Sequence, residues 1–106
     1  MSPTGADLRA RIDILLGAYH DEMPSRDEVE DTLTAGYGYA LSLDSQRLRL
    51  EARIAELAVR AEEPEAASEL RRLWIRHRTI NAEIRDLREM LRDLRESQLE
   101  PYLRGS

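Results

Sequence analysis

Apolar positions in the last third of the chain fall at alternating intervals of three and four. Leu70, Leu73, His77, Ile80, Ile84, Leu87, Leu91, Leu94 and Gln98 follow this rule without a break, although two of them are polar. Such spacing places one stripe along one side of a helix and is the signature of a coiled-coil seam. The middle of the chain repeats it at Val29, Leu33, Gly36, Ala40, Leu43, Arg47, Leu50, Ile54, Leu57 and Ala61. Between the two stripes lies "EEPE", a tight turn with a proline suited to the first turn of a helix. The spacing predicts one helix over about 26–61, a turn at 62–65 and another helix over about 65–100, ending before Pro101.

A tight turn between two such helices makes them antiparallel. In one register Leu57 meets Leu70, Ile54 meets Leu73, Leu50 meets His77 and Arg47 meets Ile80. Continuing away from the turn, Leu43 meets Ile84, Ala40 meets Leu87, Gly36 meets Leu91, Leu33 meets Leu94 and Val29 meets Gln98. Every position of one stripe finds a position of the other. The expected fold is all-α: a long antiparallel helical hairpin, coiled-coil-like and roughly 45 Å long at 1.5 Å per residue. "SRDE", Ser25 to Glu28, reads as the capping box that starts the second helix.

A short first helix is predicted over about 5–20. It starts after Thr4 and carries Leu8, Ile12, Leu15, Leu16 and Tyr19 on one face. The linker "DEMPS" then leads into the hairpin. No internal repeat or boundary divides residues 1–106, which read as a single helical domain.

The stretch "TAGYGYALSL" puts two glycines inside the second helix, where each costs about 1 kcal/mol relative to alanine. Gly36 lies in the seam opposite Leu91, where a small residue lets the helices approach. Gly38 points elsewhere. Together with Leu41, Ser45, Leu48, Ala52, Ala55 and Val59 it forms a second stripe at the same spacing. A helix apolar on two faces expects two neighbours. The first helix is short and can cover only the early part. A second copy of the chain can cover the rest: an antiparallel pair of second helices brings Leu41 to Val59, Ser45 to Ala55 and Leu48 to Ala52 of the mate. That contact uses the same patch twice, as a two-fold dimer requires. The expectation is a homodimer with a four-helix core, second helices inside and third helices outside.

Composition narrows the classes. The chain has 106 residues, 35% of them charged, no cysteine and no phenylalanine. Disulfides and thiolate metal sites are excluded. No apolar run approaches the roughly 20 residues of a membrane span, and no signal peptide is recognised, so the expected setting is cytoplasmic, without a membrane. All sixteen basic side chains are arginine, a usage that fits a bacterial source of high GC content. The net charge is −5 but uneven: residues 1–69 hold fifteen acids against seven arginines, and residues 70–106 hold six against nine. Overall acidity argues against nonspecific nucleic-acid binding and leaves room for a local basic stripe.

That stripe is Arg71, Arg78, Arg85 and Arg92, one every seven residues, with pairs such as Arg85–Glu89 and Arg92–Glu96 able to neutralise part of it. Trp74 and Ile75 flank the seam near the hairpin tip, on its outer side; they either cover the edge of the dimer or form a docking patch for a protein partner, since tryptophan is enriched in binding hot spots. Tyr37 and Tyr39, beside the glycines, are expected to pack on the first helix. Arg47 and His77 interrupt the two seams in adjacent layers. Polar seam residues set register, and the Arg47 head is placed to reach Glu51 or Glu83; the same cationic layer is also a candidate anion or nucleotide site.

"RLWIRH", Arg72 to His77, resembles the Arg-x4–6-His element of HEPN-type ribonucleases, in which Arg and His act on an RNA phosphate. Position 73, polar in that family, is Leu here. The resemblance covers six residues and implies a ribonuclease with His77 as acid–base. The residues themselves supply no catalytic set, no cofactor motif and no metal site: His20–Asp21–Glu22 has no matching second cluster, and there is no paired Glu-x-x-His motif. The sequence therefore points first to a non-enzymatic interaction or regulatory module, a dimeric helical-hairpin adaptor or sequestering factor with a protein partner. A regulator binding an anionic ligand through the arginine stripe or the Arg47/His77 layer comes second, and a HEPN-like ribonuclease third.

Overall fold

Residues 5–21 and 24–104 are described by a computed structural model, with side chains described for 5–18 and 24–99. Three helices follow in order, α1 (Gly5–Asp21), α2 (Arg26–Ala58) and α3 (Pro64–Arg104), and no strand occurs among the described residues. The long helices α2 and α3 pack antiparallel.

Local chemistry sets the ends. The Glu28 N–H donates to Ser25 Oγ at 3.2 Å and the Val29 N–H to the Ser25 carbonyl at 3.2 Å, so Ser25 caps α2. The expected capping box is half-formed, since among the described residues the Glu28 carboxylate does not return to the Ser25 N–H. The start signal at Thr4 lies outside the described residues. At the other end α2 stops at Ala58, three residues earlier than expected. There the Arg60 N–H turns back to the Leu57 carbonyl at 2.9 Å and the Glu63 N–H to the Arg60 carbonyl at 3.0 Å. These tighter bonds close the turn in place of the α ladder. Ala61, expected in the seam, is consequently exposed. Pro64 opens α3, where its missing N–H is not needed. α3 also continues past Pro101 to Arg104. Proline there removes one hydrogen bond, to the Ser97 carbonyl, one turn before the helix ends.

The chain divides into two compact units, one of the residues up to Ala40 with those from Asp86 onward, the other Leu41–Arg85. In the first, Leu8 and Ile12 of α1, Val29 of α2 and Leu91 and Leu94 of α3 are fully buried. Thr32 is buried among them, its hydroxyl accepting from the Arg11 guanidinium at 3.1 Å. A buried hydroxyl needs such a partner, since leaving it unpaired costs about 1–3 kcal/mol. This bond fixes which side of α2 the first helix takes.

The second unit contains α2 and α3 alone. Leu43, Ile54, Leu57, Ile80 and Ile84 are buried, as is Ala66, which the seam did not single out. Leu50, Leu70 and Leu73 remain half-buried. Two helices cover only one stripe of each other, so some seam residues stay partly open.

The two glycines separate as their spacing implied, with one correction. A Cβ built on Gly36 would press against Leu91, with Cδ1 at 3.2 Å and Cγ at 3.3 Å and Cδ2 closer still. Around Gly38 nothing lies within 4 Å. α1 therefore does not cover Gly38: it sits on the Thr32 side of α2, a different face from the second stripe. Gly36→Val should cost roughly 1–3 kcal/mol by overpacking against a fully buried leucine. Gly38→Ala should instead gain up to about 1 kcal/mol from helix propensity, a rise in Tm of about 4–8 °C for a chain this size. Thermal unfolding followed by circular dichroism checks both, and a destabilising Gly38→Ala would show that this position is covered.

Candidate interaction surfaces and the polar layer

Arg47 and His77 come together through Asn81 and Glu51. The donor and acceptor roles follow from chemistry. A guanidinium only donates, so Asn81 must turn its Oδ1 toward Arg47 Nη1, 3.4 Å away. The Asn81 amide NH2 is then left to donate to His77 Nδ1 at 3.3 Å. With Nδ1 accepting, the neutral ring carries its proton on Nε2 and donates to Glu51 Oε1 at 3.0 Å. That same oxygen lies 3.8 Å from Arg47 Nε, an ion-pair contact that completes a ring of four side chains without a hydrogen bond to Nε. Arg47 Nη2 also meets Asp44 Oδ1 at 3.2 Å. The His77 side chain is only 14% exposed, so these partners stand in for water.

This arrangement bears on what the layer can bind. The Arg47 charge is met by Asp44 and Glu51, and both His77 nitrogens are occupied. Among the described residues no hydrogen bond joins Arg72 to His77, and Arg72 is exposed. The head of Arg47 reaches Glu51, one of two acids expected, and also Asp44 and Asn81, which the seam pattern did not single out. A signal for them was present: Asn81 lies four residues after His77 and Asp44 three before Arg47, both neighbours on a helix surface.

A second cross-helix contact lies nearer the turn. Arg53 forks onto Glu69, Nε to Oε1 at 3.3 Å and Nη2 to Oε2 at 3.4 Å, while Nη1 meets Glu56 at 3.0 Å. Hydrogen bonds to Glu56 and then Glu69 raise the Arg53 pKa above its ordinary value. The pair is exposed, and its contribution is geometric, matching one helix to the other at one height.

Three surfaces remain open. On α2, Leu41 is 65% and Leu48 61% exposed, with Ser45, Ala52 and Ala55 exposed along the same stripe; Val59, expected to continue it, is 80% exposed but lies in the turn beyond the end of α2. On α3, Trp74 is 50% and Ile75 63% exposed. The Trp74 ring stands edge-on to His77, centroids 5.4 Å apart, so it flanks the polar layer. Arg71 and Arg78, each three or four residues from both, bracket them on the helix surface. No acid occurs between Glu69 and Glu83, and Arg71, Arg72, Arg76 and Arg78 are all exposed. Further along the stripe Arg85 is exposed too, and Arg92 pairs with Glu89 at 3.9 Å. The third surface is a shallow hollow between α1 and α2, about 330 Å³, lined by Arg11, Ile14, Leu15, Glu28, Asp31 and Thr32. Tyr39 is half-buried, whereas Tyr37, expected against α1, is exposed.

Among the described residues no group of three or more His, Asp or Glu side chains could hold a metal ion, and no helix is long and apolar enough to cross a membrane. His20–Asp21–Glu22 has no described side chains.

The closed ring predicts a non-additive pair of substitutions. Asn81→Leu leaves Arg47 and His77 without their bridge and should cost about 1 kcal/mol in urea unfolding at fixed protein concentration. Adding His77→Leu removes the group left unpaired and restores an apolar seam, so the double variant should regain at least what the single one lost. Two simply additive losses would mean that the side chains do not act as a unit.

A comparison of the chain with protein-family models, curated proteins and solved structures finds no match, and the functional reading rests on these surfaces.

Proposed function

We propose that this chain is a non-enzymatic interaction module, a helical hairpin that pairs with a second copy through α2 and offers a basic, tryptophan-bearing patch on α3 to a protein partner. One observation carries the reading. The Leu41–Arg85 unit has only two helices, yet α2 there exposes Leu41 and Leu48 on one stripe, with Val59 exposed in the turn just beyond its end. A unit this small rarely sustains itself on its own core and commonly gains the missing layer by oligomerisation. A mate laid antiparallel on that stripe sets Leu41 against Val59 and Leu48 against Ala52, large against small, and makes a four-helix core.

Such a dimer leaves the Trp74 side of each hairpin available. An adaptor or sequestering factor works by presenting rigid helix faces, and a hairpin fixed by its polar layer does so without a catalytic cleft. The reading in which the chain takes an anionic ligand draws on the same basic patch, because Arg71, Arg72, Arg76 and Arg78 have no ion-pair partner among the described residues. The Arg47/His77 layer supports it less, since its charges are already matched.

Sedimentation velocity tests the dimer. At tens of micromolar and high salt the wild type should sediment with twice the chain mass. Leu48→Glu should give a monomer that keeps its helical circular dichroism, because a side chain mostly exposed in the protomer can carry a charge there but not inside a dimer core. A wild-type monomer at that concentration would overturn the reading.

A further inference from the structure

We propose that the protein partner of the Trp74 patch is a second copy of this chain, docking through the acidic hollow between α1 and α2. The inference rests on the reading of that patch as a protein-docking surface and names its occupant. The two surfaces match in chemistry. The patch places the exposed Trp74 and Ile75 between Arg71 and Arg78, with no acid in that stretch of α3. The hollow has an apolar wall, Ile14 and Leu15, and an acidic one, Glu28 and Asp31. Ile14 is 71% exposed, an apolar side chain without a cover. Neither carboxylate has an ion pair among the described residues; Arg11, which shares the hollow and is held by the Thr32 hydroxyl, offsets one of their two charges and leaves the hollow acidic by one.

Size agrees with charge. At about 330 Å³ the hollow lies at the small end of ligand clefts, suited to one large side chain and its neighbour rather than to an extended ligand. Arg71 and Arg78 stand seven residues apart, about 10 Å along the helix, so they bracket an inserted Trp74 and approach the acids from its flanks. Tryptophan and arginine are the residues that most often anchor such contacts.

The contact is heterologous: patch meets hollow, not patch meets patch. Each copy that docks leaves its own hollow or patch free, so association continues beyond two chains unless the geometry closes a ring. This separates it from the α2 dimer, which uses one surface twice and stops. It also depends on salt, since exposed charges are screened as the Debye length falls from about 30 Å at 0.01 M to about 3 Å at 1 M.

Sedimentation velocity over a concentration series at both salt levels tests it, with three samples. One is the wild type. The second reverses the patch with Arg71→Glu and Arg78→Glu. The third reverses the hollow with Asp31→Arg and Glu28→Gln, the latter neutral because a cation in the first turn of α2 would oppose the helix dipole. All substitutions are on exposed residues, and circular dichroism checks that each variant is folded. The wild type should grow past the α2-linked species at low salt and return to it at high salt. Each reversed variant alone should stop at that species at both salts. Mixing the two should restore growth, because the acidic patch of one fits the basic hollow of the other. A wild type whose mass ignores salt, or a mixture that behaves as its components do, would overturn the proposal. Salt-dependent growth starting from monomers would sink the α2 dimer and leave this contact standing.

Discussion

The axial register of α2 on α3 is the constraint on which the remaining features depend. A seam of leucines and isoleucines at heptad spacing does not choose its own register, because sliding one helix by seven residues still sets apolar against apolar. Particular contacts make the choice. In one unit Gly36 leaves the space that Leu91 fills. In the other, Arg47 reaches Asn81, Glu51 reaches His77, and Arg53 reaches Glu69. A one-heptad slip would move these groups about 10 Å apart; in one direction Ala58, which cannot accept the His77 proton, takes the place of Glu51, and in either direction the Arg47–Asn81 and Arg53–Glu69 contacts are lost.

The polar layer is therefore better understood as a specificity device than as a source of stability. A well-packed apolar pair in its place would be as stable or more so. What the ring of Arg47, Asn81, His77 and Glu51 adds is a single arrangement of donors and acceptors that no other alignment reproduces. The same ring explains why Trp74 is presented as it is. Its edge rests on His77, so the register of the hairpin also orients the side chain that anchors the proposed docking patch. Rigid presentation lowers the ordering cost of binding.

Much of the fold was legible because periodicity encodes direction about a helix axis. The seam spacing encodes both long helices and their pairing, and it sets Gly36 against Leu91 by itself. Ser25 announced its cap. Periodicity does not say what lies on a given side. The stripe through Gly38 and Leu41 was readable as apolar, but the side of α2 taken by α1 depended on Thr32 and Arg11, a polar pair twenty-one residues apart with no pattern to announce it. The polar layer was legible at its two seam members and not at Asn81 and Asp44, because those sit beside the seam and their role depends on the rotation of both helices. The early end of α2 was not legible because Ala58 and Ala61 favour helix and no glycine or asparagine follows Ala58 to mark a stop. Charge was readable in sum but not in pairing: Arg92 finds Glu89, and the arginines of the Trp74 patch find no acid among the described residues.

Thiol cross-linking tests the register most directly, and the natural chain has no cysteine to interfere. Leu43→Cys with Ile84→Cys joins two positions that face each other in this alignment. Leu50→Cys with Ile84→Cys joins two that would meet only after a one-heptad slip. A short bifunctional thiol reagent should link the first pair rapidly within a single chain and leave the second unlinked. Faster linkage of the second pair, or equal linkage of both, would contradict the account.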